Sequence, residues 1–150
     1  MPANAIASST MVQVGLVVRN IRKTAAAYAK YFGVPVPGIH LTDGLEKTNA
    51  RYRGKKTQAR AKLAFFKMGS LSLELIEPVG GPSTWREHLQ KHGEGVHHLA
   101  YFVQDTEKEE RKLAKRGCRT VQKGDYSGGR YSYVDASKDL KVCLEFLQNR

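Results

Sequence analysis

The chain has 150 residues, of which 41% are hydrophobic and 26% charged, so it is long enough for one folded domain and too short for two. Lysine and arginine number 25 against 14 aspartates and glutamates, and this net charge of +11 favours anionic partners. No apolar run approaches the roughly 20 residues of a membrane helix, residues 1–10 read as a flexible tail without a secretion signal, and no nucleic-acid-binding signature is present. Cys118 and Cys143 lack the spacing of a disulfide framework or zinc site. We therefore expect a cytoplasmic protein that binds neither nucleic acid nor membrane.

In chain order, hydrophobic periodicity predicts the same β-α-β-β-β arrangement twice. In the first half, Asn20 is a typical N-cap and Gly33 a typical helix end, and Gly69-Ser70 suits a tight turn. The predicted elements of this half are a strand at 12–18, a helix at 21–32, an extended piece at 36–42, and strands at 62–68 and 71–77.

The second half repeats this order after a short connecting helix. Thr84 and Glu87 have the spacing of a capping box at the start of that helix, and Asp105 takes the place of Asn20 as the next N-cap. The predicted elements of this half are strands at 97–103, 118–122, 130–134 and 141–147, with a helix at 106–116. We therefore predict one domain over 11–148, composed of a first module at about 11–78, a linker helix at 79–95 and a second module at about 96–148.

Aligning the two halves pairs polar side chains that lie in otherwise apolar strands. Gln13 aligns with His98 on the first strands of the modules, and Glu74 aligns with Glu145 on the last strands. Because successive side chains of a strand point to opposite faces, all four lie opposite the face that carries the leucines of those strands. The pattern predicts an α+β fold of paired βαβββ modules, in which a curved mixed sheet gathers the four groups in a central cleft.

Two carboxylates in one buried cleft need a cation, because an unpaired buried charge is costly. One imidazole, two carboxylates and an amide oxygen suit a divalent metal ion, so we predict metal ligation by Gln13, Glu74, His98 and Glu145. Neighbouring strand residues face opposite ways, so His97 would pack or contact the ligands instead. Taken singly, each of these residues is more often an ordinary solvated or hydrogen-bonded polar residue, and their equivalence in the repeat favours the metal site.

Several segments resemble the vicinal oxygen chelate superfamily, which includes glyoxalase I, bleomycin-resistance proteins and extradiol dioxygenases. They are Val12-Gln-Val-Gly-Leu-Val-Val-Arg-Asn-Ile, Leu73-Glu-Leu-Ile-Glu-Pro, Gly93-Glu-Gly-Val-His-His-Leu-Ala-Tyr and Leu144-Glu-Phe. Within the superfamily, the Glu-Leu-Ile-Glu-Pro and Gly-Val-His-His segments are most similar to methylmalonyl-CoA epimerases. The resemblance implies paired βαβββ modules, one divalent ion such as Zn, Co, Ni, Mn or Mg on the same four ligands, and a homodimer.

For function, the resemblance implies a metal-dependent epimerase or isomerase that removes a proton α to the carbonyl of an acyl-CoA. Two departures from the epimerases stand out: Gln13 replaces a histidine ligand, and the strand at 62–68 contains no acid for the additional base. The set Gln, Glu, His, Glu is similar to that of some glyoxalase I enzymes. Glu145 or Glu74 is then the candidate base, from a position beside the metal.

Three alternatives stay open: a glyoxalase I-type lactoylglutathione lyase, a metal-free small-molecule binding protein of the bleomycin-resistance kind, and an extradiol dioxygenase. The last is disfavoured because Gln13 stands where a second histidine is expected. A basic block before the strand at 62–68 is a candidate contact for coenzyme A phosphates, and its ordinary interpretation is a solvated loop. The candidate phosphate contacts are Arg51, Arg53, Lys55, Lys56 and Arg60.

Overall fold

The computed structural model of the protein describes Pro2 and residues 5–150, and this part of the chain forms ten strands and five helices. The elements are β1 Met11–Val17, α1 Ile21–Phe32, β2 His40–Leu41, α2 Leu45–Thr48, β3 Arg51–Tyr52, β4 Lys55–Lys56, β5 Arg60–Met68, β6 Leu71–Val79, α3 Thr84–His92, β7 Gly95–Phe102, α4 Thr106–Ala114, β8 Arg119–Tyr126, β9 Gly129–Asp135, α5 Ser137–Leu140 and β10 Cys143–Asn149.

All ten strands form one curved mixed sheet in the order β2-β5-β6-β1-β7-β10-β9-β8-β3-β4. The first strands of the two modules, β1 and β7, pair antiparallel at the centre, and each is flanked by the last strand of its own module in parallel. The modules are thus joined edge to edge around a local two-fold relation. The predicted α+β fold with paired βαβββ modules is confirmed.

The two long module helices begin where the sequence predicts. The side chain of Asn20 accepts a hydrogen bond of 3.0 Å from the Lys23 amide at the start of α1, and Asp105 accepts one of 3.2 Å from the Lys108 amide at the start of α4. Gly33 ends α1 with a φ of 64°, in the left-handed region that glycine adopts without strain.

The start of α3 differs from its prediction. Ser83, rather than Thr84, is the N-cap, and its hydroxyl accepts a hydrogen bond of 3.0 Å from the Arg86 amide. Thr84 is the first residue of the helix, and its hydroxyl instead contacts His97. The side chain of Glu87 contacts Arg53, 2.9 Å away, so the predicted capping box does not form because both of its members have other partners.

The alternation of side chains along the strands puts the core where it was predicted. On the last strand of the first module, Leu73 and Leu75 are buried, and on the last strand of the second module Leu144 and Phe146 are buried in the same way. Helix α1 covers the first of these faces and α4 the second, so each helix closes the outer side of its own module. The opposite face of the sheet is left for the polar side chains.

The segment that the sequence analysis treated as a basic loop is partly structured. Residues 51–56 form the hairpin β3–β4, and β3 pairs with β8, at the far edge of the second module. The chain therefore crosses from β2, which pairs with β5 in the first module, to the outer edge of the other module. The short helix α2 lies on this crossing and packs against β8.

Part of the predicted flexible tail contacts the domain. The Ala7 amide donates a hydrogen bond of 2.9 Å to Glu109, and Ile6 packs against the cluster under α4. The prediction of a flexible tail also covers Met1, Ala3 and Asn4, which lie outside the described residues. None of the helices in the described part of the chain has the length and apolarity needed to cross a membrane.

Candidate metal and substrate site

The structure brings together the four side chains that were aligned from the repeat. The Nε2 atom of His98 lies 3.0 Å from Oε1 of Gln13, 3.0 Å from Oε2 of Glu145 and 3.5 Å from Oε1 of Glu74. All four side chains are buried, with exposed fractions of 0% for His98 and no more than 9% for the others. One nitrogen thus lies among three oxygens in the middle of the curved sheet.

The pairing of the strands explains why the four meet. Glu74 and His98 are both register partners of Gly15, one from each neighbouring strand. Gln13 and Glu145 are likewise both partners of Ala100, which is the repeat equivalent of Gly15. Two small residues on the central strands therefore leave room for large polar side chains from the strands beside them.

Gly15 is the tightest of these positions, because a Cβ atom built there would lie 2.0 Å from Cε1 of His98. We expect Gly15→Ala to displace the imidazole and to lower the free energy of unfolding by about 3 kcal/mol, as overpacked cores do. Thermal or urea unfolding measures this change. The control is Gly38→Ala, where nothing lies within 4 Å of the added Cβ, and its effect should stay within about 1 kcal/mol. Equal stability of the two variants would contradict the close approach at Gly15.

Two oxygens of the cluster have no hydrogen-bond partner although they are buried: Oε1 of Glu74 and Oε2 of Glu145. Both are near Nε2 of His98, which also lies 3.0 Å from Oε1 of Gln13, so one nitrogen is shared among three oxygens. Burial, and then the charge of Glu145, raise the pKa of Glu74 to about 8, against the lowering effect of His98. Burial alone would lower the pKa of His98, but the Glu145 and Glu74 carboxylates raise it above its ordinary value.

His97 holds the ring of His98 from the other side of the sheet. The Nδ1 atoms of the two rings lie 2.9 Å apart, and Nε2 of His97 lies 3.1 Å from the Thr84 hydroxyl oxygen. Burial and the neighbouring His98 and His88 lower the pKa of His97 well below its ordinary value, so the ring is neutral and carries one proton. If the proton of His97 lies on Nε2 and is donated to the Thr84 hydroxyl, Nδ1 of His97 accepts a hydrogen bond from the Nδ1–H group of His98. Nε2 of His98 is then free to bind a cation. The prediction that His97 contacts a ligand instead of joining the set agrees with this arrangement.

The donor set fits a divalent cation. It combines one imidazole nitrogen with two carboxylates and an amide oxygen, and two of the carboxylate oxygens are buried without a hydrogen-bond partner. The distances of 3.0–3.5 Å from the nitrogen to the oxygens are those of neighbouring ligands that each lie about 2 Å from one ion. Within the described residues, no three His, Cys, Asp or Glu side chains already stand in the geometry of a metal site, so these side chains would adjust on binding.

The cluster opens into a cavity of about 520 Å³, to which Gln13, Glu74 and Glu145 contribute. Most of its wall was not predicted from the sequence, including two further carboxylates, Asp43 and Asp125. The alternation of Tyr131 and Tyr133 on one strand was a signal that could have indicated an aromatic wall. The aromatic side chains that line the cavity are Phe65, Trp85, Phe102, Tyr126, Tyr131 and Tyr133.

None of the five basic residues suggested as phosphate contacts lines this cavity. Arg53 pairs with Glu87, and Nε of Arg60 donates to the Thr42 carbonyl oxygen over 2.8 Å. Lys55 and Lys56 are exposed on the hairpin. Arg51 alone reaches a neighbouring cavity of about 220 Å³, whose lining also includes Lys123 and Arg130. A role of the five suggested residues in phosphate binding stays a prediction.

A sequence model of the Glyoxalase/Bleomycin resistance protein/Dioxygenase superfamily matches residues 12–134, and the chain belongs to this superfamily. Among curated proteins, the chain is 42% identical to the uncharacterized protein YqjC of Bacillus subtilis (strain 168) over 45 residues, which are 30% of this chain and 32% of that protein.

Among solved structures, the fold is similar to methylmalonyl-CoA epimerase from Mycobacterium tuberculosis, with 19% identity, a TM-score of 0.62, and 99% of this chain and 96% of that one covered. It is also similar to a methylmalonyl-CoA epimerase in complex with methylmalonyl-CoA and NH4+, with 20% identity, a TM-score of 0.61, and coverage of 93% and 94%. At this identity, the likeness establishes the shared fold.

Proposed function

We propose that the protein is a metal-dependent epimerase or isomerase that removes a proton α to the carbonyl of an acyl-CoA thioester. The observation that carries the proposal is the pair of buried, unpartnered carboxylate oxygens of Glu74 and Glu145 beside Nε2 of His98. They open into a cavity large enough for an acyl group. The fold shared with methylmalonyl-CoA epimerases supports the same reaction class.

In this proposal, Gln13, Glu74, His98 and Glu145 hold one divalent ion. Such an ion supplies a Lewis acid that stabilises the negative charge developing on a carbonyl oxygen. The chain itself supplies the base, because Glu145 and Glu74 border the cavity and the carboxylate of either would accept the α proton of a substrate bound there. Removal of the α proton leaves a carbanion. The aromatic wall limits the access of water to it, which increases its lifetime before reprotonation.

Asp43 adds a further carboxylate to the wall of the cavity, although it does not lie on the strand where an additional base was expected. The strand β5 carries no acid, as predicted, but Asp43 lines the same cavity from the segment that follows β2. An epimerase needs proton transfer at both faces of the α carbon, and a second carboxylate on another part of the wall supports that requirement. Asp43 is therefore a second candidate base beside Glu145.

A coenzyme A moiety would lie outside the main cavity. The smaller cavity with Arg51, Lys123 and Arg130 shares Thr48, Asp125 and Tyr131 with the main one. Lys123 and Arg130 pair there with Glu110 and Glu107, so phosphate groups would have to compete with these carboxylates for the two side chains. A homodimer and a cytoplasmic location remain part of the proposal.

The reaction is tested by incubating the metal-loaded protein with a panel of acyl-CoA thioesters in deuterated water and measuring deuterium at the α carbon by mass spectrometry. We expect at least one thioester to be labelled. Glu145→Gln should slow labelling by at least about 100-fold, since general base catalysis contributes about 10²–10⁴-fold. Glu46→Gln is the control, because Glu46 is exposed on α2 and should leave the rate unchanged. Absence of labelling in every thioester, or oxygen consumption during turnover, would contradict the proposal.

The aromatic wall favours a second candidate function, which is small-molecule binding without catalysis, as in bleomycin-resistance proteins. The purified protein would then carry no metal and label no thioester, yet still bind an aromatic ligand. A lactoylglutathione lyase is distinguished by turnover of the hemithioacetal of glutathione and methylglyoxal, which can be assayed alongside the thioesters.

A further inference from the structure

The charge of the cavity is opposite to that of the protein. Four of the 14 aspartates and glutamates line it, namely Asp43, Glu74, Asp125 and Glu145. All 25 lysines and arginines belong to the described part of the chain, and none of them lines it. In a molecule of net charge +11, the charged side chains that line this cavity are thus carboxylates. The excess of lysine and arginine therefore attracts anions to the surface of the protein and not to the wall of this cavity.

No lysine or arginine lines the cavity, and the charge that faces Glu74 and Glu145 comes from His98. Oε1 of Glu74 and Oε2 of Glu145 are buried without a hydrogen-bond partner. Asp125 lies 2.8 Å from Arg150, and Asp43 lies 4.0 Å from Lys47, but both of these pairs are at the surface and screened by solvent. An anionic group between the aromatic rings would therefore meet the carboxylates of Asp43 and Asp125 and no lysine or arginine, at a cost that rises as water is displaced.

Aromatic side chains form a large part of the remaining wall. Trp85, Tyr131 and Tyr133 form a cluster with ring centroids 5.3–6.4 Å apart. The Tyr133 hydroxyl accepts from Nε1 of Trp85, and the Tyr131 hydroxyl accepts from Nε2 of Gln122, which fixes the positions of both rings in the wall. Phe65 stacks on His40 at 5.7 Å. Rings of this kind bind other aromatic groups and attract cations.

We infer that the substrate of this site carries a bulky aromatic acyl group with no negative charge of its own. This inference rests on the proposed function for the reacting carbonyl and adds the class of group attached to it. A dicarboxylic acyl group such as malonyl would find a compensating positive charge for its second carboxylate at the cluster, because the lining holds no lysine or arginine. An arylacyl group instead fills the space between the aromatic side chains.

The inference is tested by binding of three probes that share a phenyl ring and differ in charge: phenylacetate, 2-phenylacetamide and 2-phenylethylammonium. The protein is first treated with EDTA, so that no metal can bind the acetate. Trp85 is the single tryptophan and lines the cavity, so its fluorescence reports occupancy directly. We expect the amide and the ammonium to bind at least about tenfold more tightly than the acetate at low salt.

Replacing Asp43 and Asp125 together with asparagine should reduce the difference between the amide and the acetate to less than about threefold. The control is Asp139→Asn, an exposed aspartate on α5 outside the cavity lining, which should preserve the difference. Phenylacetate binding as tightly as the amide would overturn the inference, as would failure of all three aromatic probes to bind at millimolar concentration. Since these measurements need no metal and no turnover, they are independent of whether the proposed reaction occurs.

Discussion

Replacing His98 with alanine is expected to weaken the binding of a divalent ion by more than about 100-fold and to abolish turnover. The imidazole is the only nitrogen of the proposed set and lies within 3.5 Å of the other three donors. Loss of a residue that merely supports a ligand costs about 10–100-fold in affinity, so loss of the ligand itself should cost more. Isothermal titration of the EDTA-treated protein with Zn²⁺, Co²⁺ and Mn²⁺ measures the affinity.

The control for this experiment is His92→Ala, which removes an exposed histidine from α3 without touching the cluster. It should bind metal as the wild-type protein does. A far-ultraviolet circular dichroism spectrum identical to that of the wild type would establish that the His98→Ala protein is folded. A folded His98→Ala protein with unchanged metal affinity and activity would show that the metal, if bound, is held elsewhere.

The stability of the EDTA-treated protein is expected to fall as the pH rises from about 5 to about 8. Burial and the charge of Glu145 raise the pKa of Glu74 from 4.5 to about 8, so the folded state holds a proton that the unfolded state releases. Stability from this group is full below pH 4.5 and is lost as the pH passes through about 8. The raised pKa of His98 acts in the same direction. The expected loss is of the order of several kcal/mol.

Urea unfolding at a series of pH values measures this trend. Glu74→Gln should flatten it, since glutamine does not titrate, whereas Glu46→Gln should leave the slope unchanged. A divalent ion should oppose the trend, because its ligands bind it without their protons and its affinity therefore rises with pH. Wild-type protein that becomes more stable over this range in EDTA, with the same slope in Glu74→Gln, would contradict a protonated Glu74 in the metal-free state.

The strands and the cluster could be predicted from the sequence because both depend on local alternation repeated in two halves. Gln13 and His98 lie in apolar runs of the same pattern, and so do Glu74 and Glu145, so their shared face followed from the period of a strand. The close approach at Gly15 could not be predicted in this way. It depends on the register between strands, which brings the His98 ring against a position that has no side chain.

Other features depend on contacts between distant parts of the chain. The segment at 51–56 is polar and basic, without the alternation of a half-buried strand, and it forms a hairpin because β8 offers an edge to pair with. The N-cap of α3 is Ser83 rather than the predicted Thr84, because the Thr84 hydroxyl contacts His97. The aromatic cavity wall is assembled from several strands and α3, so no single stretch of sequence carried its pattern.

The crossing of the first module to β8 makes the two halves interdependent. An isolated second module, over 96–148, would have the ladder groups of β8 exposed along an edge that the hairpin β3–β4 partly covers in the whole protein. An isolated first module would have a hairpin without a sheet to join. Exposed edges of this kind promote pairing with other chains and aggregation. The two halves repeat one fold but cannot be separated as the units of a tandem repeat can, and we expect insertions or truncations to be tolerated only where they leave the pairing of β3 with β8 intact.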